Sequence, residues 1–195
     1  MSFERFTADT AALLLIDHQV GTMSWVTSIS FDEMKRNALM LAKSAAILKL
    51  PVVLTSSMET YAQGPLIDEL EAILPAEFAA RIRRAGVVNA MEDPAFAAAV
   101  DATGRRKIII AGVTNDVCTV FPALTLVARG YDVQVVADAG GSPSRIGDEM
   151  ALRRMEKHGV TLTSTNQVIA ELTADWSTPA GGRIAQEVVM PALLG

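Results

Sequence analysis

Short apolar runs alternate along the chain with longer segments in which apolar residues recur every three or four positions. The runs are rich in valine, isoleucine and leucine, have the length of β-strands and end at polar residues or turn signals. They predict six strands, at residues 11–17, 52–55, 80–85, 107–113, 132–138 and 160–165. The third strand is the weakest of these predictions because arginines interrupt it.

The segments between the runs have the spacing of amphipathic helices. Ser30 is placed to cap the longest of them, and Glu33 completes a capping box. Asp93 followed by Pro94 is a second start signal. The predicted helices span residues 31–50, 66–74, 94–100, 121–129, 145–158 and 167–172.

This alternation predicts an α/β fold in one domain, residues 1–176. Successive strand–helix units favour a parallel sheet with right-handed crossovers and helices on both faces. The run at 107–113 is apolar without alternation, which is typical of a strand covered on both sides. The tail, 177–195, is broken by two glycines and then becomes apolar. We expect it to pack on the domain or on a neighbouring subunit, which favours a homo-oligomer.

Composition and charge narrow the functional classes. The 195 residues are 50% hydrophobic and 20% charged, and the net charge is −5 without a basic run. We therefore expect neither nucleic acid nor a membrane as a partner. The single cysteine permits no intrachain disulfide, and no run approaches the ~20 apolar residues that span a bilayer. Since the first residues do not follow a signal-peptide plan either, we expect a cytoplasmic protein that acts on a small molecule.

Reactive side chains follow the carboxyl ends of several predicted strands. Asp17 ends the first strand, Arg83 and Arg84 end the third, Cys118 follows the fourth and Asp138 ends the fifth. Ligands of open parallel sheets bind outside these ends. We therefore expect one site at this edge, in which Arg83 and Arg84 compete for the same role.

Cys118 is open to two interpretations. A free cysteine is usually a small buried apolar residue. Asn115 or Asp116 could instead cap the following helix and place Cys118 in its first turn, where the dipole and free N–H groups favour a thiolate and could hold an oxyanion. Asp17 is then a candidate base, since a carboxylate facing an apolar pocket has a raised pKa, although a turn-forming aspartate is an equal alternative. Arg84 could bind an anionic substrate group or lie on the surface.

Other patterns predict neither a metal nor a cofactor. His18 and His158 lack any metal-ligand spacing and are expected to be structural. The first strand is not followed by the glycine-rich turn of a dinucleotide site, and there is no Walker lysine. The possible pocket residues are Gln19, Trp25, Glu59 and Asn89.

Six collinear segments carry a family pattern. They read LLLIDHQVG, PVVLTSSMET, RRAGVVNAMEDPAF, KIIIAGVTNDVCTVFPAL, GYDVQVVADAGG and AELTADW. The strand followed by G-V-x-N-D-x-C is the most specific of them. Through these segments, which cover roughly residues 10–176, the chain resembles the isochorismatase-like cysteine hydrolases, and within them the YcaC-like branch.

The resemblance implies a fold and a site. The fold is a three-layer α/β/α sandwich with a six-stranded parallel sheet. The site is a triad of aspartate, a cationic residue and cysteine, which fall on Asp17, Arg84 and Cys118. A non-proline cis peptide bond is implied between Val113 and Thr114, with the N–H groups of Thr114 and Cys118 forming an oxyanion hole.

Departures from the family pattern refine the expected activity. Arginine stands at position 84, where lysine is usual, and arginine does not readily shuttle a proton. The metal site of the nicotinamidase members has no counterpart here, and the members that hydrolyse isochorismate manage without this cysteine. The resemblance therefore implies amide-type C–N hydrolysis through Cys118. The alternative is a ligand-binding or scaffold protein of the same fold that has lost efficient hydrolysis.

Overall fold

The computed structural model describes residues 4–194, which form a six-stranded sheet. Its strands are β1 (Ala11–Ile16), β2 (Val52–Ser57), β3 (Ile82–Arg84), β4 (Lys107–Gly112), β5 (Asp132–Val136) and β6 (Thr161–Thr163). They lie in the order β3-β2-β1-β4-β5-β6, and every neighbouring pair is parallel. The predicted α/β fold is confirmed.

Helices connect the strands and cover both faces of the sheet. They are α1 (Val20–Ser24), α2 (Phe31–Leu48), α3 (Glu69–Ile73), α4 (Pro75–Ala79), α5 (Pro94–Ala102), α6 (Val120–Ala128), α7 (Arg145–Lys157), α8 (Thr165–Thr173), α9 (Pro179–Ile184) and α10 (Met190–Leu194). Ser30 caps α2 by accepting a hydrogen bond from the Glu33 N–H, and Asp93 caps α5, both as predicted.

The continuous apolar runs of the central strands follow from burial on both faces. Along β1, Leu13 and Leu15 pack into one hydrophobic cluster with α2 and α8, while Leu14 and Ile16 pack into a second cluster with α5, α6 and α7. Side chains of a strand alternate between its faces, so a strand with a core on each side has apolar residues at every position. The sheet is therefore the middle layer of three.

Several elements differ from the sequence prediction. The helix predicted at 66–74 is shorter, Glu69–Ile73, and it ends at Leu74, whose backbone is not helical. A second short helix that was not predicted, α4, starts at Pro75. Helix α1 was not predicted. The tail beyond residue 176 is helical, and Ile184 and Val188 are buried in the cluster that contains α2. Within residues 4–194 no helix is both long enough and apolar enough to cross a membrane.

The strand order places a crevice between β1 and β4. The chain leaves β1 toward β2 and leaves β4 toward β5, so their connections diverge to opposite sides of the sheet. Outside the carboxyl ends of such a strand pair the diverging connections leave an open cleft. The segments that follow β1 and β4 therefore line the cleft.

Candidate active site

Asp17 lies at the first position after β1, directly beneath this cleft. Its N–H donates to the Thr55 carbonyl at 2.9 Å, and its backbone has a φ of 58°, in the left-handed region that aspartate tolerates better than most residues. Its side chain is 1% exposed. The turn thus directs a carboxylate into the interior at the end of the central strand.

Arg84 is the partner of that carboxylate. Its Nη2 donates to both oxygens of Asp17, and its other nitrogens donate to Thr55 Oγ1 at 3.0 Å and to the Val87 carbonyl. Arg83, its rival in the sequence, has a side chain 64% exposed and pairs with Glu59 at 3.2 Å. Adjacent residues of a strand point to opposite sides, so only one of the two arginines reaches the interior.

Cys118 lies in a π-helical turn, Asn115–Thr119, that joins β4 to α6. The peptide bond between Val113 and Thr114 is cis. The Thr114 carbonyl accepts from the N–H groups of Val117 and Thr119.

The predicted cap of this turn is wrong. Neither Asn115 nor Asp116 caps it with its side chain; the N-cap position is Thr114. Asn115 instead donates to the Ala137 carbonyl and to Asp148, which ties the turn to the neighbouring loop and to α7.

The electrostatics of Cys118 also differ from the expectation of a thiolate. Burial raises the pKa of the Cys118 thiol, and the charge of Asp17 and a hydrogen bond to its carboxylate raise the pKa further. Arg84 and a backbone hydrogen bond from Thr114 act in the opposite direction. The resting side chain is therefore a neutral thiol.

Burial also governs Asp17. Desolvation raises the pKa of the Asp17 carboxyl, while Arg84 and the hydrogen bond from Cys118 lower it. A carboxyl group with a raised pKa is a better proton acceptor than an exposed aspartate. Carboxylate and guanidinium are thus hydrogen-bonded to each other, and the thiol lines the same cavity.

A cavity of about 270 Å³ opens onto these three groups. The predicted pocket residues Gln19 and Trp25 line it; Trp25 is 43% exposed. Its remaining lining residues include Thr22, Ser57, Met58, Gln63, Gly86, Val87, Val88, Thr114, Asp116, Val117 and Pro143. Three of these, Val87, Val88 and Val117, are apolar and exposed. They were not predicted from the sequence, because an apolar residue that lines a pocket has the same hydrophobic pattern as one in the core.

Three of the predicted polar groups lie outside the cavity lining. Glu59 accepts hydrogen bonds from Ser56 and Arg81 and pairs with Arg83. Asn89 donates to Glu92 and Thr125 and accepts from the Met91 N–H.

Asp138 accepts from both the N–H and the hydroxyl of Thr165, at the start of α8. All three polar groups therefore organise loops and helix ends.

Gln19, which follows β1, forms hydrogen bonds to both ends of the segment from Ser57 to Gly64. Its amide nitrogen donates to the carbonyls of Ser57 and Gly64, and its oxygen accepts from the Ser57 N–H at 2.8 Å. Gly21 allows the same close approach, because a Cβ atom there would lie 1.9 Å from the Ala62 carbonyl oxygen. The segment from Ser57 to Gly64 is therefore fixed in place.

The two histidines do not line the cavity. His18 is completely buried, its Nε2 is 2.8 Å from the Ala139 carbonyl oxygen, and burial lowers its pKa to about 4. His158 lies at the end of α7 and is bonded to the Arg154 carbonyl. In the described part of the chain no three His, Cys, Asp or Glu side chains are grouped as metal ligands.

Comparison with known proteins places this geometry in a family. The sequence pattern of the isochorismatase domain matches residues 11–167, which is most of the chain. The chain belongs to the isochorismatase family. As an isochorismatase-family protein it belongs among hydrolases, in agreement with the resemblance of its six segments.

Within the isochorismatase family, the chain is similar to YcaC. The Escherichia coli K12 protein, named a probable hydrolase, is 41% identical over 180 residues, which are 92% of this chain and 86% of that protein. Its crystal structure, described as an octameric hydrolase of unknown specificity, has a TM-score of 0.92 at 39% identity over 98% of this chain and 94% of that chain. A structure of YcaC from Pseudomonas aeruginosa, with hexane-2,5-diol and covalent acrylamide, has a TM-score of 0.91 at 39% identity over 98% and 95%.

Proposed function

We propose that this isochorismatase-family hydrolase cleaves an amide-type C–N bond of a small molecule with Cys118 as its nucleophile. One observation carries the proposal: the Asp17 carboxylate is held by Arg84 and lines the same cavity as Cys118. A nucleophile bonded to a base that a third group orients is the usual arrangement of covalent catalysis. Asp17 is the base and Arg84 the orienting group.

Acylation begins with proton transfer inside the bound complex. Asp17 accepts the thiol proton as the sulfur attacks the carbonyl carbon, so that a C–S bond forms and an electron pair moves onto the carbonyl oxygen. The N–H groups of Thr114 and Cys118 stabilise that oxyanion. The C–N bond then breaks, the proton passes from Asp17 to the leaving nitrogen, and ammonia or an amine departs from a thioester.

Water completes the cycle. Asp17 takes a proton from water, whose oxygen attacks the thioester carbon, and the sulfur leaves and regains the proton. The net reaction consumes one water and yields a carboxylic acid and an amine. Arg84 moves no proton, because a guanidinium does not readily give one up; it holds the carboxylate in place and balances its charge.

The raised pKa of Cys118 fits this sequence of events. A thiol that stays protonated at rest is protected from oxidation and from stray electrophiles. Its nucleophilic form arises only as the bound carbonyl is attacked and Asp17 receives the proton. A depressed thiol pKa, the expectation from the sequence, is therefore not a requirement for catalysis here.

One relative agrees with a reactive centre in this family. The structure of the Pseudomonas aeruginosa YcaC contains covalent acrylamide. Acrylamide is a primary amide with an electrophilic double bond, and thiolates add to it. A site in this chain that takes up small amides beside Cys118 agrees with that chemistry.

A panel of small primary and secondary amides tests the function. We expect ammonia or amine release by the wild type, none by Cys118→Ala, and reduced release by Arg84→Lys, whose single ammonium cannot reproduce the planar fork. Circular dichroism checks that each variant folds. Release by folded Cys118→Ala at the wild-type rate refutes the proposal.

One observation favours the alternative, a ligand-binding protein of the same fold. The same raised pKa makes the thiol a poor nucleophile unless Asp17 accepts its proton. A binder would show saturable binding of amides to both wild type and Cys118→Ala, with neither amine release nor an acyl adduct.

We also propose that the chain is a homo-oligomer, since the Escherichia coli relative is described as octameric. Apolar side chains near the end of the described chain, Leu193 and Leu194, are 68% and 79% exposed, which an interface between copies would cover. Light scattering coupled to size exclusion measures the subunit number, and a monomer at micromolar concentration contradicts the proposal.

A further inference from the structure

Asp116 is a second carboxylate in the cavity, and no protein group binds it. It lies two residues before Cys118, in the same π-helical turn, and it lines the cavity with Cys118. Its Oδ1 is buried without a hydrogen-bond partner. Among the described residues no arginine, lysine or histidine forms a salt bridge with it.

The protein stabilises only one of the two carboxylate oxygens of Asp116. Oδ2 lies against the first turn of α7, where a Cβ added to Gly147 would come within 3.1 Å of it. The positive end of the helix dipole stabilises an anion at that position. Oδ1 receives no such support, and a buried carboxylate oxygen without a donor is costly. A ligand in the cavity can supply a donor to this carboxylate.

Thr22 provides a second acceptor of the same kind. It lines the same cavity, is 4% exposed, and its Oγ1 has no hydrogen-bond partner. Trp25, also in the lining, adds a partly exposed aromatic ring. Carboxylate, hydroxyl and indole together are the groups that bind ammonium and guanidinium cations.

Arg84 does not cancel the preference of these lining residues for a cationic ligand. All three of its nitrogens already donate within the protein, to Asp17, Thr55 and Val87. Of the charged side chains that line the cavity, two are acidic and one is basic, and the basic one is paired. An anionic substrate group therefore meets a guanidinium whose charge is already paired with Asp17.

We propose that Asp116 is the specificity-determining residue of the site and selects substrates that carry an ammonium, amidinium or guanidinium group. The inference rests on the proposed function in one respect, that ligands reach Cys118 through this cavity. The cationic group binds the Asp116 carboxylate where it lines the cavity, and the carbonyl carbon faces the sulfur. Carboxylate-bearing analogues of the same size are rejected.

Two thiol reagents of opposite charge test the proposal without knowledge of the substrate. The probes are 2-aminoethyl methanethiosulfonate, a cation, and 2-sulfonatoethyl methanethiosulfonate, an anion. Each forms a mixed disulfide with the thiolate and releases methanesulfinate. Cys118 is the chain's single cysteine, so every modification reports on this site. The ratio of the two rate constants cancels the thiolate fraction and isolates the effect of charge.

We expect the wild type to favour the cationic probe and Asp116→Asn to lower the cation-to-anion ratio about ten-fold. Glu149→Gln, which removes the same charge from an exposed position of α7, should leave the ratio unchanged. An unaltered ratio in Asp116→Asn, or a thiol that neither probe reaches at any pH, overturns the inference. Failure of the proposed hydrolysis is seen separately, as amine release that survives in Cys118→Ala.

Discussion

Asp17 and Arg84, 67 positions apart in the sequence, form an ion pair whose two side chains are each 1% exposed. The pair links the carboxyl ends of β1 and β3, which are not neighbours in the sheet because β2 lies between them. Thr55 of β2 accepts from the same guanidinium, so three strands meet at one buried charge pair. The site is therefore part of the framework of the fold.

Breaking this pair should destabilise the protein strongly. Asp17→Asn and Arg84→Met each leave one buried charge without its partner, which typically costs about 3–5 kcal/mol. In the double variant neither charge remains, so we expect its loss of unfolding free energy to be clearly smaller than the sum of the single losses. Urea unfolding of the four proteins measures this coupling. Strictly additive losses would show that the two side chains do not interact in solution.

Asp17→Asn should make the Cys118 thiol more acidic and yet abolish amide hydrolysis. The charge of Asp17 raises the pKa of Cys118, and its removal leaves the Arg84 cation to stabilise a thiolate. We therefore expect a lower thiol pKa and faster alkylation by iodoacetamide at pH 8, together with loss of amide hydrolysis. The pH profile of alkylation measures the pKa.

Arg84→Met is the matched control for that experiment. Removal of the cation that lowers the pKa of Cys118 should raise the pKa further and slow alkylation at the same pH. If both variants shift the thiol pKa in the same direction, the proposed arrangement of charges around the sulfur is wrong.

The sequence could predict those parts of the fold and site that depend on local pattern. The apolar runs of β1 and β4 predicted buried central strands, and the positions of Asp17, Arg84 and Cys118 after strand ends predicted that they converge. The choice between Arg83 and Arg84 needed the register of β3, since one residue of slip exchanges their faces.

Other features of the site depend on contacts distant in sequence. The π-helical turn at Asn115–Thr119 is tied down by Asp148 and by the loop before α7, which no local pattern reveals. Glu59 looks like a pocket acid from its position after β2, but two nearby arginines engage it. The raised pKa of Cys118 likewise results from burial against Asp17, which outweighs the expected effect of a helix start.

His18 should make stability depend on pH. Burial lowers its pKa to about 4 in the folded state, against an ordinary value of 6.5 in the unfolded chain. Between these values the unfolded state binds a proton that the folded state does not, so the free energy of unfolding falls as the pH drops from 6.5 toward 4. The slope due to this group approaches about 1.4 kcal/mol per pH unit.

Urea unfolding at pH 7, 6 and 5 checks this assignment. His18→Gln should lose this contribution to the slope, whereas His158→Gln, at an exposed position, should keep it. A wild-type slope that persists in His18→Gln assigns the pH dependence to other groups.

The most direct test of the account is to detect the acyl-enzyme. An activated amide or ester is mixed with the protein, quenched in acid within one turnover and analysed by intact-mass spectrometry. We expect a mass increase equal to the acyl group in the wild type, mapped to the peptide that contains Cys118, and no adduct in Cys118→Ala. Turnover of the substrate by wild type without any adduct at Cys118, or an equal adduct in Cys118→Ala, would contradict it.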